Sequence, residues 1–370
     1  MGRRLNVAGF SWAMAFGALA TLASLSMEKA GASRLEIGLH SSAYYLSIAL
    51  GSICMTRLIR LFGNFTIIFG LLGVFLSCSF FGFVNLPSDW LFLRFLNGFC
   101  TACTLVPLET LVYQNAEISE KAKIFGFFEL CLSAGAGIGG SLAPLLESFQ
   151  QNSGYVFFGF FPLIGVIALL PIQIKIANAM ELESVSFSEI KKLYIWYFTA
   201  FTQGFIEGGL LSYLGVLILS MGFTTDRISI IFSSMFAGVI CSMLFITRLA
   251  DAVGFKKVLL LTHFISFFAL VFMGFSTSLP ILILLVFFVG LTCGGQYAIA
   301  LASLGSLVDS KKQPSANAMY LTLNCAGSVV GPLVMGLLQN SGFTISIFFV
   351  AAGPIFILLL VWFVIFCCYK

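Results

Sequence analysis

Four ionisable side chains lie within long apolar stretches of this sequence: Arg94, Glu109, Glu129 and Glu207. A charge at the centre of a bilayer costs about 2.5–3.5 kcal/mol on insertion scales, so a chain seldom carries one there without a use. These positions are therefore the candidates for binding a solute or carrying a proton. At each of them a purely structural role is the competing interpretation.

Glu207 is the first candidate, because it lies near the centre of its apolar segment. Gln203 precedes it by one helical turn and shares its face. Gly208 and Gly209 follow it and permit close helix approach or bending. Burial disfavours the charged form of a carboxylate, so Glu207 is predicted to take up and release a proton near neutral pH. The alternative is a protonated or hydrogen-bonded acid at a helix interface.

Arg94 begins a polar stripe on the fourth apolar segment. Together with Asn97, Thr101, Leu105 and Glu109 it falls within roughly one third of the helix circumference. Arg94 and Asn97 are therefore candidates for substrate binding or proton coupling. The alternative is an arginine that extends to the outer headgroups.

Two further acids, Glu109 and Glu129, lie toward the same end of the fourth and fifth segments, with Lys121 and Lys123 in the loop between them. Both acids are candidates for a ligand or a proton. The alternative is a salt-bridge network with those lysines that latches a closed state. Glu129 shares its helix face with Ser133 and two glycines.

The eleventh segment carries one polar stripe, formed by Asn317, Tyr320, Asn324 and Gly327. Such a stripe lines either a cavity or a helix contact, and the pattern leaves both open. Tyr320 and Asn324 are included among the candidate site residues.

The composition dictates what must position these residues. The chain is 59% hydrophobic and 9% charged, whereas a soluble domain carries about 25% charge. A spanning helix needs roughly 20 apolar residues. An all-α membrane protein with twelve spans is therefore predicted, at 5–27, 35–58, 63–84, 89–113, 122–147, 154–173, 193–219, 228–248, 256–277, 280–307, 315–339 and 343–367.

The chain is also internally repeated. Thr56-Arg-Leu-Ile-Arg-Leu-Phe-Gly63 can be laid without a gap over Thr247-Arg-Leu-Ala-Asp-Ala-Val-Gly254, at an offset of 191 residues. At an offset of 192, three glycine pairs recur, namely Gly98 and Gly290, Gly135 and Gly327, and Gly139 and Gly331. A duplicated six-helix unit places the ligand site at the midplane between the halves.

Three parts are predicted from this repeat: a six-helix bundle at 1–174, a cytoplasmic linker at 175–192 and a second six-helix bundle at 193–370. Placing both termini in the cytoplasm puts 15 of the 19 basic residues on the inner side, as the positive-inside rule requires. The predicted location is the cytoplasmic (inner) membrane.

The second loop copy resembles the signature loop of the major facilitator superfamily, roughly Gly-x-Leu-Ala-Asp-Arg-x-Gly-Arg-Lys. It keeps Asp251, Gly254, Lys256 and Lys257, and it lacks the first Gly and the Arg. The first copy is degraded, with Arg60 where the acid belongs. The fourth segment resembles the family's helix-4 Arg-x-x-x-Gly pattern, in which the Arg faces the central cavity. Glu109 and Glu129, with the loop between them, resemble one bacterial twelve-helix branch.

This resemblance implies a monomeric carrier that works by rocker-switch alternating access in the lipid bilayer. It implies a gating loop formed by Arg248, Asp251, Gly254, Lys256 and Lys257, in which Asp251 caps a neighbouring helix start. Gly327-x-x-x-Gly331-Pro332 is similar to a close-packing motif of the family's antiporters, carried here on another helix. It is interpreted, with Gly135 and Gly139, as a set of packing hinges.

Proton-coupled transport of a small organic solute is the leading functional prediction, and an uncoupled facilitative carrier is the alternative. No nucleotide-binding loop is present, so ATP is not the expected energy source. No cofactor, metal or nucleic-acid partner is expected. A membrane enzyme or receptor is the remote alternative, because only two histidines, His40 and His263, are available and both are predicted to be structural.

Overall fold

The computed structural model describes residues 2–63, 65–84, 86–114, 121–170, 192–308, 312–341 and 346–368. These residues form helices and no strand. The helices are α1 (Gly2–Lys29), α2 (Arg34–Phe62), α3 (Phe65–Phe81), α4 (Pro87–Gln114), α5 (Lys121–Phe149), α6a (Ser153–Gly159), α6b (Phe161–Leu169), α7 (Tyr194–Ser220), α8 (Thr225–Val253), α9 (Phe255–Phe275), α10 (Leu279–Leu307), α11 (Gln313–Asn340) and α12 (Ile347–Cys368).

The predicted all-α membrane architecture is confirmed. Within the described ranges, nine helices are each long and apolar enough to cross a membrane. The others are α2, which carries several charged residues, and the shorter α3 and α6 segments.

The sixth span differs from the prediction. A continuous helix over 154–173 was expected, but the chain divides it at Phe160 into segments of seven and nine residues. Pro162 explains the division, because proline has no N–H to continue the first helix and is favoured in the first turn of a new one. The predicted linker at 175–192 falls almost wholly on 171–191, which lie outside the described residues.

Helices α1–α6b pack as one bundle and α7–α12 as a second. The repeat seen in the sequence recurs in the backbone between them. Glycines with positive φ end equivalent helices in the two bundles, Gly31 (80°) with Gly222 (85°) and Gly63 (53°) with Gly254 (103°). Both pairs are 191 residues apart. Glycine suits these turns because it has no Cβ to oppose a positive φ.

Close helix contacts repeat in the same way. A Cβ on Gly135 or Gly139 would overlap the backbone carbonyl of Phe10 or Met14 on α1. A Cβ on Gly327 or Gly331 would overlap the carbonyl of Phe201 or Phe205 on α7. The carbonyls that these Cβ atoms would overlap also form pairs 191 residues apart, Phe10 with Phe201 and Met14 with Phe205. The predicted packing positions therefore lie at close backbone contacts of the α1–α5 and α7–α11 pairs.

The two bundles meet through α2 with α11 and through α5 with α8. We call the end of the molecule that carries Gly2 and Val253 the terminal face, and the end that carries Lys29 and Ser220 the opposite face. Tyr213 on α7 donates its hydroxyl to the Arg34 carbonyl on α2 at 2.6 Å, and Ser42 donates to the Val329 carbonyl at 2.7 Å. These contacts lie toward the opposite face and hold the bundles together there.

Candidate functional site

A cavity of about 290 Å³ lies between the bundles. Its walls come from α1 and α5 of the first bundle and from α7, α8, α10 and α11 of the second. The lining residues are Trp12, Phe16, Glu129, Leu132, Ser133, Ala136, Gln203, Ile206, Glu207, Leu210, Leu211, Met235, Phe236, Val239, Met243, Val289, Gly290, Cys293, Gly294, Tyr297 and Asn324. Because the bundles pack tightly toward the opposite face, we infer that the cavity communicates with the terminal face.

Glu207 lines this cavity from the middle of α7 and is exposed to it. Within the described part of the chain it forms no salt bridge. Its neighbour Gln203 also lines the cavity and accepts a hydrogen bond from the Tyr320 hydroxyl at 3.4 Å. Asn324 lines the cavity beside them, and its amide donates to the Ala200 carbonyl at 3.3 Å. A carboxylate without a fixed partner is free to bind a proton or a cation.

The polar stripe of α11 contributes both to a helix contact and to the cavity wall, the two roles that the sequence left open. Tyr320 is fully buried, bonds Gln203 and meets the Tyr297 ring edge-on at 5.7 Å between centroids. Asn324 faces the cavity, whereas Gly327 packs against the backbone of Phe201. One face of α11 therefore both joins α7 and reaches the cavity.

Glu129 lines the cavity from α5, on the side opposite Glu207. Glu109 on α4 is half-buried and is not among the lining residues, but it is close enough to Glu129 for their charges to interact. The predicted alternative, a network with Lys121 and Lys123, falls on two side chains outside the described ones. Glu129 and Glu207 therefore line the same cavity, and Glu109 does not line it.

Arg94 does not line the cavity. Its side chain is 3% exposed, and its guanidinium carbon lies 4.1 Å above the centre of the Tyr44 ring. Two of its nitrogens, Nε and Nη1, lack a hydrogen-bond partner among the described residues. An arginine extended to the headgroups is therefore excluded. Asn97 is also buried and donates to the Ser77 hydroxyl at 2.8 Å, on the α3 side of α4.

The aromatic wall of the cavity is held in place by further contacts. Trp12 stacks on Phe16 at 5.3 Å, and Phe16 stacks on Tyr44 at 5.8 Å between ring centroids. The Trp12 indole N–H donates to the Thr101 hydroxyl at 3.3 Å. Trp12 is thus a lining residue anchored to α4.

Sequence reasoning missed the lining residues of α8 and α10, among them Met235, Phe236, Met243 and Cys293. The internal repeat relates two of them, Met235 and Phe236, to Tyr44 and Tyr45 of α2, which lie 191 positions earlier and do not line the cavity.

The predicted gating loop lies at the terminal face, remote from the cavity. Gly254 separates α8 from α9, and Arg248, Asp251, Lys256 and Lys257 are exposed around it. The ammonium of Lys256 lies 5.6 Å from the centre of the Trp196 ring. In the described part of the chain, no hydrogen bond to the Asp251 carboxylate is present, so its capping role stays a prediction.

Both histidines are buried away from the cavity. His263 places Nδ1 2.6 Å from the Leu259 carbonyl one turn earlier in α9. His40 meets the Phe81 ring edge-on at 5.3 Å. A structural role, as predicted, is consistent with these positions and is not tested by them.

Two bundles of helices that enclose a cavity lined by two carboxylates form the architecture of a membrane solute carrier. The comparisons with known proteins agree with that class. The sequence pattern described as Major Facilitator Superfamily matches residues 5–225 and again 196–367.

Three curated relatives are similar in sequence. The proton-coupled antiporter flippase LtaA of Staphylococcus haemolyticus is 22% identical over 87% of this chain and 83% of its own length. Multidrug resistance protein 2 of Bacillus subtilis is 26% identical over 74% of this chain and 72% of its own length. Multidrug resistance protein MdtL of a Shewanella species is 29% identical over 119 residues, which are 32% of this chain and 30% of its own length.

The fold is that of a solved transporter. The crystal structure of a variant of the nucleoside transporter NupG matches with a TM-score of 0.80 and 16% identity, over 99% of both chains. The chain belongs to the major facilitator superfamily, whose members are membrane transporters.

Proposed function

We propose that this protein moves a small organic solute across the cytoplasmic membrane by alternating access, coupled to protons, with Glu207 as the proton carrier. One observation carries the proposal. Glu207 is a carboxylate at the centre of α7 that faces the inter-bundle cavity without a salt-bridge partner in the described part of the chain. In such a place, a carboxylate can be neutralised by a proton or by a bound solute, and the two compete.

Two features support this assignment of roles. Gln203 and Asn324 line the cavity together with Glu207 and offer hydrogen-bonding groups to a polar solute, while Tyr320 behind them donates to Gln203. The relative LtaA is itself named as a proton-coupled antiporter. The protein acts as a monomer with both termini in the cytoplasm, and the cavity then faces the cytoplasm in this state.

A two-step experiment tests the proposal. A metabolite and drug library is first screened by thermal shift on purified wild type and on Glu207→Gln, because a ligand that binds the folded state raises the melting temperature. A hit is then assayed in proteoliposomes. The wild type accumulates the solute when a proton gradient is imposed.

The Glu207→Gln variant separates coupling from binding. It is expected to lose gradient-driven accumulation while retaining solute counterflow at saturating solute concentration, because the exchange of bound solute requires no net proton movement even where the affinity is lower. Accumulation by the variant that still follows the gradient would sink the role of Glu207. Counterflow without accumulation in the wild type would instead establish the uncoupled carrier.

A further inference from the structure

The charge of the cavity lining points to the charge of the solute. Two lining residues are acidic, Glu129 on the first bundle and Glu207 on the second. None of the lining side chains that the structure describes is basic. A solute between the bundles is therefore approached by a negative group from each side.

Among the side chains that the structure describes, two cations of the bundles are held away from these acids. Arg94 is buried within the first bundle, against the ring of Tyr44. Lys256 lies over Trp196 at the terminal face. Opposite charges attract and like charges repel strongly where water is scarce. An anionic solute would therefore face two like charges that no described lining side chain compensates, whereas a cation would relieve them.

The remaining wall suits the rest of such a solute. The rings of Trp12, Phe16, Phe236 and Tyr297 line the cavity, and aromatic faces attract organic cations. Met235 and Met243 add flexible thioether surface that adapts to irregular apolar shapes. An apolar wall with a few convergent polar groups is the usual form of a small-molecule site.

We propose that the solute is an amphipathic organic cation, whose charge lies between Glu129 and Glu207 and whose apolar part packs on the aromatic wall. This inference rests on the proposed function, because it names the solute class of the same cavity. It adds Glu129 as a binding residue beside the proton carrier. A proton and the cation then compete for the same carboxylates, so acidic pH weakens solute binding.

Two isosteric ions of opposite charge test the inference. Tetraphenylphosphonium and tetraphenylborate have nearly the same size and apolar surface, so a difference in their binding reports charge. Their affinities are measured on the purified full-length protein by isothermal titration at alkaline and acidic pH. The wild type is expected to bind the phosphonium, more weakly at acidic pH, and to bind the borate at least about tenfold more weakly.

Variants locate the binding groups. Glu129→Gln and Glu207→Gln are each expected to weaken phosphonium binding by about tenfold, since each removes one charge from the site. Asp226→Asn is the matched control, because that acid is exposed beside Arg227 at the opposite face and outside the cavity. Its binding should equal that of the wild type.

Three results overturn the inference: equal or tighter binding of the borate, binding of neither ion, or phosphonium binding that survives both acid-to-amide changes. These outcomes concern charge selectivity alone. Proton-driven accumulation that depends on Glu207 could stand even if the phosphonium did not bind. Conversely, selective phosphonium binding could coexist with an uncoupled carrier, so the two proposals fail separately.

Discussion

Glu207 lines the cavity from α7, and the equivalent residue of α1, 191 positions earlier, is Phe16. Gln203 corresponds in the same way to Trp12. Both members of each pair line the cavity. At these equivalent positions the two helices therefore differ in chemistry, because α1 presents aromatic rings and α7 presents a carboxylate and an amide.

Two charged residues of the first bundle have apolar counterparts in the second. Arg94 and Glu129 of the first bundle correspond, at an offset of 192, to Val286 and Leu321 of the second. The glycine contacts, by contrast, are the same in both bundles. A duplicated fold thus repeats the contacts that let helices approach closely and places each charged group once. Close packing is needed in both halves, whereas the proposed proton carrier is needed in only one.

The largest expected effect concerns the shared contacts. Gly139→Val and Gly331→Val should each destabilise the protein by about 3 kcal/mol or more, because the new side chain overlaps a backbone carbonyl that cannot move aside. Size-exclusion chromatography and thermal melting in detergent measure the loss. Similar losses in the two bundles would support equivalence, while a tolerated change in one would break it.

The control is a glycine in open space. A Cβ at Gly126 on α5 or Gly353 on α12 would meet no atom within 4 Å. Valine at either position should therefore leave the yield and the melting temperature close to those of the wild type.

The second prediction moves the acid between the bundles. Glu207→Gln combined with Phe16→Glu places the carboxylate at the equivalent position of α1. We expect no recovery of gradient-driven accumulation in proteoliposomes, because Phe16 is stacked between Trp12 and Tyr44 and lacks the hydrogen-bonding neighbours of α7. Restored accumulation would show that the two bundles are interchangeable as proton carriers.

The third prediction replaces Arg94, the buried cation of the first bundle, with an apolar residue. Its counterpart in the second bundle, Val286, is apolar. Arg94→Met should be neutral or stabilising by about 1 kcal/mol, because a buried charge is costly to desolvate and Arg94 forms no salt bridge among the described residues. Arg227→Met, at an exposed position, should change stability by less than about 0.5 kcal/mol. A strong destabilisation by Arg94→Met would indicate that the contact with the Tyr44 ring outweighs the cost of burying the charge.

The last prediction, with an expected effect of similar size, concerns the closure at the opposite face. Tyr213→Phe removes the hydroxyl that bonds the Arg34 carbonyl, and its equivalent in α1 is Leu22, which has no hydroxyl. Losing this bond should favour separation of the bundles there by about 1 kcal/mol. Spin-label distances between α2 and α11 measure the shift. An unchanged distance distribution would show that apolar packing alone closes this face.

The sequence by itself determined the all-α membrane class, the family, the approximate spans and the repeat. Each is a local property, because apolar segments, glycine turns and charged loops can be identified without knowing what they contact. It also singled out Glu207, since an acid in the middle of an apolar helix is unusual wherever that helix packs.

Only the tertiary structure decided which candidates share a cavity. Helix periodicity places Arg94 and Glu109 on one face of α4 but does not say toward what that face turns. Packing places Arg94 against the Tyr44 ring. It brings Glu129 of α5 and Glu207 of α7 to the same cavity. The rotation of each helix and the meeting of the two bundles depend on side chains distant in sequence, which no local pattern contains.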